Sequence, residues 1–206
     1  MAPAVHIYEY DPDNGARYAQ AFALYSEVPE DMRIFFYDAA GNDCANFASQ
    51  CIWAAYGGWI PGTAEPVAAL NRQRVKENVR QTGIWYGSAS FAGTPRWCRV
   101  EELFAYLTAK KASGPQGVRV AEGTWDSVRP ESIQKGDLVQ LVVSGYAPYR
   151  YGHNLYVTKQ GRSYSDTRVC CHSYDRRNAP LTSFSLFPDA YPKLRVIHFL
   201  PAGFTK

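Results

Sequence analysis

A thiol becomes a nucleophile when something holds its negative charge and something else takes its proton. In the stretch "DCANFASQCIWAAYGG", residues 43 to 58, Cys44 follows an aspartate at the expected start of a helix. The unpaired N–H groups of a first helical turn, and the helix dipole, favour negative charge at that point. This predicts a lowered thiol pKa at Cys44. The Cys44 amide is also placed to receive the oxyanion of an attacked carbonyl. Cys51 shares the same helix face two turns deeper and reads as core. The competing reading makes Cys44 one more small buried residue. The helix pattern alone leaves both open, and the decision needs a base.

The chain has four histidines. His6, near the start, and His198, in a terminal strand, read as structural or exposed. His153 opens a strand after a Tyr/Gly/Pro-rich loop in "GDLVQLVVSGYAPYRYGHNLYVTK", a rigid edge that suits a general base. His172 and Asp175, in "VCCHSYDRRN", fall near the end of the following strand. If those two strands are antiparallel neighbours, one of these residues returns to accept the His153 N–H and fix its tautomer. A zinc site is the rival reading of the same histidines and cysteines. Three ligands in "CCH" cannot share one side of a strand, and no CxxC or HxxxH spacing occurs, so no metal is expected.

These groups need elements to hold them. Cys44, Phe47, Ala48, Cys51, Ile52, Ala55 and Tyr56 recur at helical spacing, with Asn42 or Asp43 as N-cap and Gly57-Gly58 as stop. An earlier helix is expected over residues 14–28, capped by Asp13 or Asn14. "RIFFYDAAGND" reads as a short extended segment, "PVAALNRQRVKENVRQ" as an exposed helix begun by Pro66, and "CRVEELFAYLTAKKA" as a further helix. "GIWYGSASFAGTPRW" has no period and reads as an irregular loop. From residue 117 onward, short β-type runs alternate with glycines. The fold class expected is therefore α+β, helices packed on an antiparallel sheet.

With 206 residues, 46% hydrophobic and 15% aromatic, the chain is a single globular domain, 1–206, by expectation. Its 15 tyrosines are ordinary half-buried packing or the lining of a groove. The net charge of +3 is spread, without a basic stripe, and "NRQRVKENVR" reads as a solvated helix face, so no nucleic-acid partner is expected. No run of about 18 apolar residues suggests a transmembrane segment. No signal peptide is visible in "MAPAVHIYEYDPDN". The compartment stays open: secreted or cell-wall associated if a signal was removed, otherwise cytoplasmic. Oligomeric state stays open too. The odd count of five cysteines leaves at least one thiol free, and adjacent Cys170 and Cys171 are poor mutual disulfide partners.

In order, "YDPDNGARYAQAFALYSEVP", "DCANFASQCIWAAYGG", "GDLVQL…GHNLYVT" and "HSYDRRNAPL" resemble the putative amidase domain family of bacterial proteins, related to NlpC-type cysteine peptidases with a papain-like fold. The motif DC-x-NF-x-SQ is matched by Asp43, Cys44, Asn46, Phe47, Ser49 and Gln50. Gly136-Asp137 and His153 match the strand and histidine that follow, and His172 and Asp175 match the late His-x-x-Asp segment. The similarity spans about residues 8 to 182, with a variable insertion at about 59–97 that is a candidate substrate wall. Asn154 is a departure, standing where the family carries apolar residues.

The resemblance implies a cofactor-free, cysteine-dependent amide hydrolase that works through an acyl-enzyme. Cys44 would attack, His153 would move the proton, and His172, or else Asp175, would orient His153. Asp43 would cap the helix and brace the site. The implied substrate is a peptide or a peptidoglycan stem peptide. Two other functions use the same residues: a non-catalytic peptide- or glycan-binding module, and an acyltransferase or transglutaminase with an amine replacing water.

Overall fold

The computed structural model describes residues 4–34, 43–62, 64–88, 93–146 and 150–205. The first helix, α1, runs Pro12–Phe22. Its cap is Asp11, not Asp13 or Asn14, because Pro12 takes the first helical position; the Asp11 carboxylate accepts from the N–H groups of Asp13 and Asn14. The helix also stops earlier than its pattern suggests and gives way to two 3₁₀ turns, Tyr25–Glu27 and Glu30–Met32. The extended segment expected after Arg33 lies largely outside the described residues.

Helix α2, Cys44–Ala55, forms as expected. All its residues except Asn46 are buried, the mark of a helix enclosed on every side. It ends where Gly57 turns left-handed at φ +80°, and the Gly58 N–H closes back on the Trp53 carbonyl at 2.9 Å. Helix α3 is Glu65–Lys76, α4 is the short turn Pro95–Cys98, and α5 is Val100–Thr108. Between α3 and α4, the irregular aromatic segment anchors itself through Trp85. That ring is fully buried and lies 4.5 Å from the ring of Trp97.

The sheet that receives α2 has six strands: β2 Gln116–Gly123, β3 Leu138–Val142, β4 Tyr151–Lys159, β5 Arg168–Cys171, β6 Arg176–Pro180 and β7 Leu194–Leu200. Their order is β2-β7-β3-β4-β5-β6, and every neighbouring pair is antiparallel. A separate two-stranded pair joins β1, His6–Tyr8, to β8, Ala202–Phe204. The protein is α+β with an antiparallel sheet.

Alternation along the strands sorts the side chains between two cores. Leu138, Tyr156, Cys170 and Ile197 join Phe47, Ile52 and Trp53 on the helical side. Leu155, Val157, Val169, Cys171 and Val196 join Trp125, Leu181 and Phe184 on the other. The adjacent Cys170 and Cys171 thus face opposite ways, and all five cysteines are free thiols. Phe184 belongs to α6, the single turn Thr182–Ser185. Among the described residues no helix is long and apolar enough to cross a membrane.

Candidate active site

Cys44 is the first residue of α2, and its sulfur rests against the backbone of β4, 3.8 Å from the Gly152 carbonyl oxygen. In β4, Leu141 of β3 pairs with His153 and Val142 with Tyr151, so Gly152 is an extra residue at a bulge. A Cβ at Gly152 would press on the Tyr146 ring at 2.7 Å, which is why a bare backbone can lie here. Cys44, Gly152 and His153 line one cleft of about 170 Å³, together with Tyr146, Arg176 and Phe184. A larger hollow of about 770 Å³ lies between Ile84, α4 and α5, and among the described residues no cysteine or histidine lines it.

The acid–base state of the pair differs from the sequence expectation. Burial is the largest influence on Cys44 and pushes its thiol up to about 11, and the Asp43 carboxylate adds to the rise. The backbone and side-chain amides of Asn154, and the Ala45 N–H of the first helical turn, pull the other way and lose. Desolvation therefore outweighs the helix start. Burial, with the Arg176 cation second, lowers His153 to about 4. At neutral pH the resting site holds a thiol beside a neutral imidazole. Among the described residues no hydrogen bond joins Cys44 to His153.

His172 serves different partners. Its Nδ1 lies 2.6 Å from Asp43 Oδ2, and its Nε2 lies 2.9 Å from the Phe22 carbonyl oxygen. The expected bond from His172 or Asp175 to His153 is not formed among the described residues. Strand alternation explains this for His172. His153 shares its face of β4 with Leu155 and Val157, and its ring centroid lies 5.8 Å from that of Phe184 in the second core. His172 shares the parity of Cys170, and its ring stacks 3.9 Å from Phe47 in the helical core. Asp175 occupies the turn between β5 and β6 and is not among the described residues lining the cleft.

The hydrogen inventory of His172 follows from its partners. A carbonyl oxygen only accepts, so Nε2–H donates to Phe22, and Nδ1 faces the Asp43 carboxylate. Asp43 stands at the N-cap position of α2, yet its side chain bonds no backbone N–H there. Its Oδ1 instead accepts from the Asn46 side chain at 2.7 Å, and its backbone N–H donates to Ser173 Oγ at 2.9 Å. From Asn46 the network continues. Asn46 Oδ1 accepts from Gln50 Nε2 and Trp97 Nε1, Gln50 Oε1 accepts from the Tyr18 hydroxyl, and Ser49 Oγ donates to the Trp97 carbonyl. The polar residues of the motif around Cys44 are a frame that fixes the start of α2.

Asn154, to which the sequence assigns no chemistry, also approaches the Cys44 sulfur. It is buried, and its side-chain nitrogen lies 3.9 Å from the Cys44 sulfur. A row of side chains across three strands fixes that orientation. Gln140 of β3 stands in register with Asn154 of β4 and Arg195 of β7. Arg195 has only donors, so the Gln140 oxygen faces it, at 2.7 Å from Nε. The Gln140 amide nitrogen then donates to Asn154 Oδ1 at 2.7 Å, which turns the Asn154 NH₂ toward the sulfur. Glu101 of α5 holds Arg195 at 2.7 Å and accepts the Tyr151 N–H at 3.0 Å. In sequence this signal is only a polar residue in each of three apolar strands.

The remaining sequence candidates are structural. His198 Nδ1 bonds Asp137 Oδ1 at 2.7 Å, and Asp137 also accepts the Gln134 N–H, so the Gly136-Asp137 pair builds the turn into β3. His6 is exposed in β1. None of the described cleft-lining residues comes from the 59–97 segment expected as a substrate wall. No cluster of three His, Cys, Asp or Glu side chains fit to hold a metal occurs among the described residues.

The model of the putative amidase domain family matches residues 9–193, and the chain belongs to that family. The match spans α1, the Cys44 helix and β2–β6, and ends just before β7. Neither curated proteins nor solved structures give a match.

Proposed function

We propose that this amidase-family chain is a cysteine-dependent amide hydrolase on a papain-like fold related to the NlpC-type peptidases, formed as one domain over residues 1–206. The observation that carries the reading is the shared cleft: a helix-start thiol and a strand imidazole face the same small hollow. Cys44 attacks the amide carbonyl, forming a C–S bond. His153, neutral at rest, takes the thiol proton and then delivers it to the leaving amine. Because the two are not bonded at rest, this transfer uses a bridging water or a rotation of the imidazole. Water, activated by the same imidazole, releases the acyl group and restores the thiol.

Asn154 donates to the sulfur as charge builds on it, and the Cys44 amide faces the oxyanion. Asp43 and His172 hold the helix start. Peptides, and by the family resemblance bacterial cell-wall stem peptides, are the substrate class. The missing Cys44–His153 hydrogen bond favours a second reading, a peptide-binding module on the same fold.

The two readings part on turnover. Purified cell-wall peptides incubated with the wild type are expected to be cleaved, with new amino termini appearing, and Cys44→Ala is expected to abolish cleavage while folding normally. Peptide binding without any cleavage by the wild type would select the binding module. An added amine that appears in the product in place of water would make the protein an acyltransferase.

A further inference from the structure

Arg176, the first residue of β6, lines the cleft beside Cys44 and His153. It is close enough to His153 to disfavour a charge on that ring. Among the described residues its guanidinium makes no hydrogen bond and no ion pair, and its Nε–H is shielded from solvent without a partner. Its described neighbour is the Phe184 ring, with the guanidinium carbon 5.2 Å from the centroid. The next residue shows the contrast: Arg177 pairs with Glu27 at 2.9 Å on the surface. Among the described residues that line the cleft, Arg176 is the single one with a formal charge when His153 is neutral.

A buried Nε–H that has no acceptor among the described residues carries a desolvation cost that a bound acceptor would offset. The planar guanidinium fork matches a carboxylate, and the low-dielectric walls of Phe184 and Tyr191 strengthen that pairing. We infer that Arg176 is a substrate-binding residue that recognises a carboxylate close to the scissile amide, so that the cleft selects anionic acyl or peptide substrates over neutral ones. This deepens the hydrolase reading by naming the charge of its substrate.

The test uses the thiol itself and needs no known substrate. Iodoacetate and iodoacetamide differ by a carboxylate against an amide. Both alkylate sulfur with loss of iodide, and the thiol proton passes to His153 or to solvent. The ratio of iodoacetate to iodoacetamide rates at Cys44 is measured by mass mapping against the ratio for glutathione in the same solution. It is expected to exceed the glutathione ratio by about tenfold and to saturate with iodoacetate, as an Arg–carboxylate pair would produce. Arg176→Gln should bring it down to the glutathione value, and Arg176→Lys should keep part of the excess. A wild-type ratio equal to that of glutathione, or one that Arg176→Gln leaves unchanged, would overturn the inference.

Should Cys44 resist both reagents, or Arg176→Gln fail to fold, the Arg176 Nε–H resonance of the wild type decides. It should shift saturably with succinate and not with succinamide, and no shift with succinate would overturn the inference. The ratio and the shift are independent of turnover. A protein that shows them but cleaves nothing would lose its hydrolase reading and keep its carboxylate site.

Discussion

Cys44 and His153 carry opposite shifts from one cause. Burial removes water from both, and each responds by favouring its neutral form, the thiol at about 11 and the imidazole at about 4. The second-order rate of iodoacetamide labelling at Cys44 should therefore climb tenfold per pH unit from neutrality toward about 11. A plateau beginning near pH 6 would reveal a preformed thiolate instead. In the proposed mechanism hydrolysis needs the unprotonated imidazole, so kcat/KM should hold down to low pH and fall only through about 4. Asn154 belongs to the same scale. Replacing it with Leu removes the donor that faces the sulfur, and kcat should drop about a hundredfold with KM little changed. Equal loss in kcat and in folded protein would make Asn154 structural only.

At the scale of the element, the start of α2 is held by side chains rather than by a cap. Among the described residues the Asp43 carboxylate is shared between Asn46 and His172, with no backbone N–H taking part. His172→Ala would leave that carboxylate buried with half its partners. The expected loss is about 3 kcal/mol of unfolding free energy, read from urea titration. Activity per folded molecule should change far less than in His153→Gln. The reverse pattern, full stability with abolished turnover, would return His172 to the catalytic machinery. Asn46→Ala should cost about 2 kcal/mol by the same measurement, since Trp97 Nε1 and Gln50 both lose their acceptor.

For the whole molecule, the buried neutral imidazole links stability to pH. His153 is shifted down from 6.5 to about 4. Between these values the unfolded chain binds a proton that the folded chain does not, so stability rises with pH across that window. The His153 contribution is complete above pH 6.5 and lost as pH falls to about 4, an amount on the order of 3 kcal/mol. The difference in Tm between wild type and His153→Gln should shift in favour of the variant by several degrees on going from pH 7 to pH 4. A pH-independent difference would mean that the ring takes up its proton freely in the folded state.

Much of this architecture was written locally in the chain. The apolar face of α2, the double-glycine stop, the glycine-punctuated strands and the opposite facing of Cys170 and Cys171 all follow from periods of 3.6 and 2, which act over a few residues. The motif around Cys44 and the later His153, with the family that they imply, were legible for the same reason: motifs are contiguous. Asp11 was missed as a cap because Pro12, one residue on, decides where α1 begins.

What the sequence could not decide were relations between distant segments. His172 is 129 residues from Asp43, and only the packing of α2 on the sheet shows that it serves Asp43 and not His153. The Arg195–Gln140–Asn154 row needs three strands in register, and nothing local in any of them announces it. The direction of the Cys44 shift was decided the same way. The helix start is a local feature that favours the thiolate, while desolvation is the sum of everything packed above it, and that sum is larger.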